Sequence, residues 1–181
     1  MYLAKTVEEN KVDKLKVTST RLQVLALVFF ILTPCVVALN VVTGAWAELL
    51  NMPQGISLDS QQITGTGLLV VLVLGSIKPV AYMITFLLLH KLLGLYKVGI
   101  IFTAENVAAI RKIGWALVSI DIVGMLQTVI TGPILTLFAI TPGHISARLE
   151  VGFLIVGLFV VLIAYVMDMG RELKEQDSLV I

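Results

Sequence analysis

Four apolar runs of roughly membrane-crossing length, at 22–42, 67–89, 113–140 and 151–167, constrain this chain more than any other feature. A helix needs about 20 apolar residues to cross the hydrocarbon of a bilayer. Hydrophobic residues make up 58% of the 181 residues and charged ones 14%. That is more apolar surface than a water-soluble domain of this size can bury. Only short polar connections separate the runs, so consecutive helices are expected to be antiparallel neighbours. The expected fold is all-α: one integral membrane four-helix bundle over residues 1–181, with short cytoplasmic helical extensions.

Basic residues set the expected orientation, because Lys and Arg near span ends stay on the cytoplasmic side. Lys5, Lys11, Lys14, Lys16 and Arg21 precede the first run. Lys91, Lys97, Arg111 and Lys112 lie between the second and third, and Arg171 and Lys174 follow the fourth. The opposite side offers Arg148 alone, beside the acidic Glu48 and Asp59. Both termini are therefore expected in the cytoplasm. The N-terminal segment is too long and too acidic for the basic head of a signal peptide, so the first run is expected to remain as an anchor.

Local chemistry suggests boundaries. Thr20 and Gln23 have the spacing of a capping box at the start of the first helix. Trp46 suits an outer-leaflet anchor, and Trp115 and Tyr165 an inner one. Pro53 and Gly55 punctuate the outer loop, with a short surface helix expected over 45–51. Gly132 and Pro133 should kink the third helix. Arg171 and Glu175 stand four apart, so the fourth helix should continue past the membrane, with residues 178–181 expected to be extended or frayed.

Net charge is +1, with no basic block, which argues against direct nucleic-acid binding. The one cysteine, Cys35, has no partner for a disulfide and reads as an inert buried thiol. Zinc-type HExxH, Walker and GxSxG signatures are missing, and His90 and His144 fall on opposite membrane faces. Neither catalysis nor a cofactor or metal is expected.

Lys78 lies near the middle of the second run, where a charge costs about 2.5–3.5 kcal/mol on insertion scales. Asp121 in the third run is the acidic side chain deep enough to answer it, and the two form the candidate intramembrane polar site. The plainer alternative is that Lys78 snorkels or lines a wet pocket while Asp121 bonds Ser119, Gln127 or backbone. Thr85, Gln127, Thr128 and Thr131 add polar groups that commonly hold membrane helices together.

The segment FTAENVAAIRKIGW carries a second signal. Thr103 can cap a helix beginning at Ala104, with Glu105 in its first turn, where a negative charge suits the helix dipole. This helix should run into the third span. Phe102, Val107 and Ile110 give it an apolar face that docks on the bundle ends or receives a cytoplasmic protein.

The stretch FTAENVAAIRKIGW and the tail MGRELKEQDSLVI together resemble the bacterial four-span membrane family catalogued as domain of unknown function 2975. The matching residues are Phe102, Thr103, Glu105, Asn106, Arg111, Gly114 and Trp115, then Gly170, Leu173, Gln176, Asp177 and Leu179, with Ser178 departing from the tail spacing. The resemblance implies an uncharacterised bacterial inner-membrane protein, often encoded beside a helix-turn-helix repressor of the Cro/C1 type. A cytoplasmic helix-turn-helix regulator is the partner it suggests, on a surface of Phe102, Thr103, Glu105, Asn106, Arg111, Gly170, Leu173, Gln176 and Asp177.

Three functions compete on this reading. The first is a non-enzymatic sensing or regulatory protein acting through that surface. The second is a small transporter or ion pathway centred on Lys78 and Asp121, with a homo-oligomer supplying the enclosing wall. The third is a structural or assembly protein.

Overall fold

Each apolar run falls largely within a longer helix. In the computed structural model α1 spans Tyr2–Thr43, α2 Trp46–Leu49, α3 Thr66–Lys97, α4 Ala104–Leu137 and α5 Gly152–Asp177. The structure describes residues 2–52, 58, 63, 65–98, 103–141, 143 and 145–177, with side chains over 13–176 of these. Pro53, Gly55, Asp59, Phe102, His144, residues 178–181 and the side chains of Lys5, Lys11 and Asp177 lie outside the described residues.

Four of the helices, α1, α3, α4 and α5, are long and apolar enough to cross a membrane. They pack in chain order, α1 on α3, α3 on α4 and α4 on α5. Among the described residues no Cα of α1 comes within 8 Å of α4 or α5, so the bundle does not close on that side. Of the most apolar 18-residue stretch of each helix, 6% is buried in α1 and 44% in α4. Helix α4 is thus the axis of the bundle, and α1 leans on α3 and the short α2.

The boundary expected at Thr20 gives way to an unbroken helix. Thr20 Oγ1 donates to the Lys16 carbonyl at 2.9 Å, which satisfies a threonine hydroxyl inside a helix and not at its cap. Gln23 Nε2 meets His90 Nε2 of α3 at 3.3 Å. Lys, Glu and Leu are good helix formers, so the polar segment before the apolar run extends α1 to about 63 Å at 1.5 Å per residue. Cys35 is also corrected: it is exposed on α1, because a helix with one long neighbour leaves most of its circumference uncovered.

Helix ends are closed locally. Gly44, at φ 71°, ends α1, and the Ala45 amide donates back to the Asn40 carbonyl at 2.9 Å, the Schellman arrangement that needs a left-handed residue. Helix α4 starts as expected, with Thr103 Oγ1 accepting from the Asn106 amide at 3.4 Å. It continues through Pro133 to Leu137. There α2 and the connections join the adjoining ends of α3 and α4 in an apolar cap of Leu49, Leu50, Met52, Val71, Leu135 and Ile140, against which Trp46 is half-buried.

The crossing of α4 and α5 depends on two glycines. A Cβ on Gly114 would lie 2.9 Å from the Gly157 carbonyl oxygen, and one on Gly157 would lie 2.7 Å from the Gly114 carbonyl oxygen. Backbones approach this closely only where side chains are absent, a common solution in membranes, where packing drives helix association. Gly157→Leu should therefore destabilise the protein by about 1–3 kcal/mol through overpacking. Gly170→Leu, in open space on the same helix, should leave unfolding in mixed micelles unchanged.

Candidate polar site between the helices

Lys78 is carried by α3 about 18 Å from its start at 1.5 Å per residue, and its side chain runs over Gly124 of α4. A Cβ on Gly124 would lie 3.5 Å from Lys78 Cε. Gly124 is thus within ordinary contact range of the lysine stem, one turn beyond Asp121 along α4. From there Nζ donates to Glu150 Oε2 at 2.6 Å. The side chains are 14% and 37% exposed, so the pair is more enclosed than a surface ion pair.

The expected pairing of Lys78 with Asp121 is therefore replaced by two separate devices. Asp121, buried on α4, accepts from the Leu154 backbone amide through Oδ2 at 2.8 Å. Leu154 is in the first turn of α5, whose amides have no partner within the helix, and a carboxylate there also answers the positive end of the helix dipole. The backbone alternative foreseen for Asp121 is the one observed, while Ser119 bonds the Ala116 carbonyl at 2.7 Å.

Glu150 went unrecognised in the sequence because it falls in a connection. Residues 145–151 form no regular secondary structure and return alongside α4, where the Arg148 amide donates to Thr128 Oγ1 at 3.4 Å. Arg148 Nη1 reaches Asn51 Oδ1 at 3.3 Å. The available signal was an acidic residue just before an apolar helix, in ARLEVGF, at a position that favours negative charge. The Lys78 hydrogen bond holds the Glu150 carboxyl below the usual carboxylate range, assisted by the charges of Lys78 and Arg148, despite the opposing effect of desolvation.

Polar groups continue along the buried face of α4. Thr131 Oγ1 donates to the Gln127 carbonyl at 2.6 Å, and Thr85 on α3 bonds the Ala81 carbonyl at 3.0 Å. The side chain of Gln127 is different. Its Nε2 and Oε1 are both buried without a hydrogen-bond partner among the described residues, as is Asp121 Oδ1 on the same helix. Gln127, Lys78 and Tyr82 line a cavity of about 440 Å³ between α1 and α3.

At the end where both termini lie, a charged chain joins α4 to α5. Arg111 Nη2 contacts Asp168 Oδ2 at 2.8 Å and its guanidinium lies 4.6 Å from the centre of the Tyr165 ring. Asp168 Oδ1 meets Arg171 at 3.3 Å, and Arg171 meets Glu175 at 2.6 Å. Asp168 was not singled out in the sequence. Of the residues expected on a partner surface, Asn106 is buried and Arg111 is engaged within the bundle. Thr103, Glu105, Gly170, Leu173 and Gln176 are exposed.

In a double-mutant cycle, Lys78→Met and Glu150→Gln should show a coupling energy of about 0.5–3 kcal/mol, larger than that of Lys78→Met with Asp121→Asn. A stronger coupling to Asp121 would contradict the assignment. Because the Glu150 pKa is lowered on folding, its contribution to stability is complete at neutral pH. It should be lost as pH falls below the ordinary value of 4.5, since protonation of the carboxyl then opposes folding. Unfolding of wild type and Glu150→Gln across that range checks the sign, and the two should converge in acid.

No curated protein and no solved structure matches the chain. A family model described as a protein of unknown function, DUF2975, matches residues 5–181. Together with the four membrane-length helices, that match over nearly the whole length identifies the chain as a multi-pass membrane protein belonging to the DUF2975 family.

Proposed function

We propose that this is a non-enzymatic sensory or regulatory protein of a bacterial inner membrane, with both termini in the cytoplasm. The observation that carries the reading is the unequal attachment of the helices. An ion pair, a carboxylate cap and a glycine crossing tie α3, α4 and α5 together. Helix α1 is held to α3 by the Gln23–His90 contact, by the Phe29–Phe86 ring stack at 5.6 Å, and by packing. Helix α1 therefore lacks the charged ties that join the other three, and a ligand or partner that prefers one arrangement of it would shift the population toward that arrangement.

The orientation rests on charge. Lys14, Lys16, Arg21, Lys91, Lys97, Lys112 and Lys174 lie toward the end that carries the termini, which favours the cytoplasm there. On that side Leu173 is 60% exposed, and Glu105 and Gln176 are exposed beside it. This surface, with the polar first half of α1, is where a cytoplasmic helix-turn-helix regulator would be held. The enclosed Lys78–Glu150 pair favours a second reading, a small transporter or ion pathway through a homo-oligomer, since intramembrane charges often mark a pathway.

Crosslinking in native membranes separates the two readings. Leu173→Asp with Glu105→Arg should lose a soluble helix-turn-helix regulator that wild type captures, whereas Lys78→Leu with Glu150→Leu should retain it at matched expression. Absence of such a regulator from the wild-type sample would overturn the regulatory reading. Solute flux in vesicles abolished by the Lys78 and Glu150 changes would establish transport.

A further inference from the structure

The slot between α1 and α3 is graded in polarity along its length. Its end near α2 gathers Asn40, Glu48, Asn51, Lys78 and Gln127. Its other end is lined by Leu32, Thr33 and Val36 above Phe29 and Phe86, whose rings are stacked, and the Thr33 hydroxyl is satisfied by the Phe29 carbonyl at 2.8 Å. From Phe29 to Asn40 the slot runs about 16 Å along α1 at 1.5 Å per residue. A volume of about 440 Å³ is that of a small-molecule site.

Gln127 indicates what the polar end would recognise. It is 1% exposed, and its carboxamide has both a donor and an acceptor unpartnered among the described residues. Burial of such a group is unfavourable unless something bonds to it. The complementary group gives and takes a hydrogen bond at once, as a hydroxyl or an amide does. Charge narrows the choice further. The Lys78 ammonium is already matched by Glu150 at 2.6 Å, and the Glu48 carboxylate and the Arg148 guanidinium on Asn51 bring one charge of each sign to the same end, so no net positive charge is left to draw an anionic head.

We propose that this slot binds a neutral single-chain amphiphile drawn from the bilayer. A hydroxyl or amide head bonds Gln127, and the acyl chain runs between α1 and α3 to the Phe29–Phe86 floor. The polarity of the slot matches the leaflet near α2, head toward the membrane surface and chain toward the midplane. This deepens the sensory reading and rests on it for its significance, because an occupant between α1 and α3 is placed to bias the long helix that has no ion pair to another among the described residues.

The test uses the full chain in phosphatidylcholine nanodiscs with a monoacylglycerol carrying a diazirine at the end of its chain. Detergent is avoided because many detergents are themselves neutral single-chain amphiphiles. Labelling is expected on the α1 and α3 peptides containing Leu32 and Phe86, and excess unlabelled monoacylglycerol should compete it away. In Gln127→Leu it should fall by about tenfold, as for two ordinary hydrogen bonds lost. This variant removes an unpartnered polar group, so its fold should hold, which a melting curve checks. Val36→Trp, which fills the slot from α1, should reduce labelling as well.

Labelling spread over the exposed faces of α1 and α5, or unchanged in both variants, would overturn the proposal. Equal competition by a fatty acid at neutral pH would overturn the neutral-head assignment. Labelling does not depend on the cytoplasmic partner. Regulator capture without slot labelling would overturn the ligand alone, and slot labelling without any regulator would overturn the regulatory reading alone.

Discussion

A hydrocarbon interior offers no water to a polar group, so each charge or free amide placed there must find a partner within the protein. In this chain that requirement converges on the start of α5, with Glu150 just before the span and Leu154 within it. Lys78 of α3 holds Glu150, and Asp121 of α4 receives the Leu154 amide at the start of α5. The connection before α5 consequently folds back along α4, and α3 and α5 are fixed against the same central helix. The Gly114–Gly157 crossing and the Arg111–Asp168 pair extend the same attachment toward the termini.

Helix α1 stands outside this scheme. It has no ion pair to another helix among the described residues, and its apolar surface, including Leu32 and Leu39, is exposed along most of its length. Those side chains face lipid as comfortably as they would face protein, because lipid tails are as apolar as leucine and give little hydrophobic drive for closing the bundle. An open cleft beside α1 therefore costs less here than in water. The buried carboxamide of Gln127 and the charge pair at Lys78 give that cleft a chemical character that simple packing does not require.

Helix number and order were legible in the sequence, because a span must be apolar over a nearly fixed length. Thr103 as a cap and the α2 helix near Trp46 were legible for local reasons, a hydroxyl beside free amides and a short segment between a glycine and a proline. The start of α1 was not. A polar helix protruding from a membrane has no apolar stripe to announce it, and Thr20 satisfies itself within the helix. The partner of Lys78 was hidden for a different reason: span counting places every connection outside the bundle, so the return of residues 145–151 alongside α4 brings in Glu150 without notice. Depth alone identified Asp121 as a candidate, while its bond to the α5 backbone follows from where that helix begins.

The mobility of α1 against the unit of α3, α4 and α5 is the central claim, and its most direct measurement is a distance between spin labels. In a Cys35→Ser chain labelled through Val17→Cys on α1 and Met169→Cys on α5, both exposed positions, pulsed electron resonance in nanodiscs should resolve two distances. Their proportions should change when monoacylglycerol is added, as expected for a ligand that prefers one arrangement. A single distance, the same with and without the amphiphile, would contradict a movable α1 and leave the protein a fixed anchor.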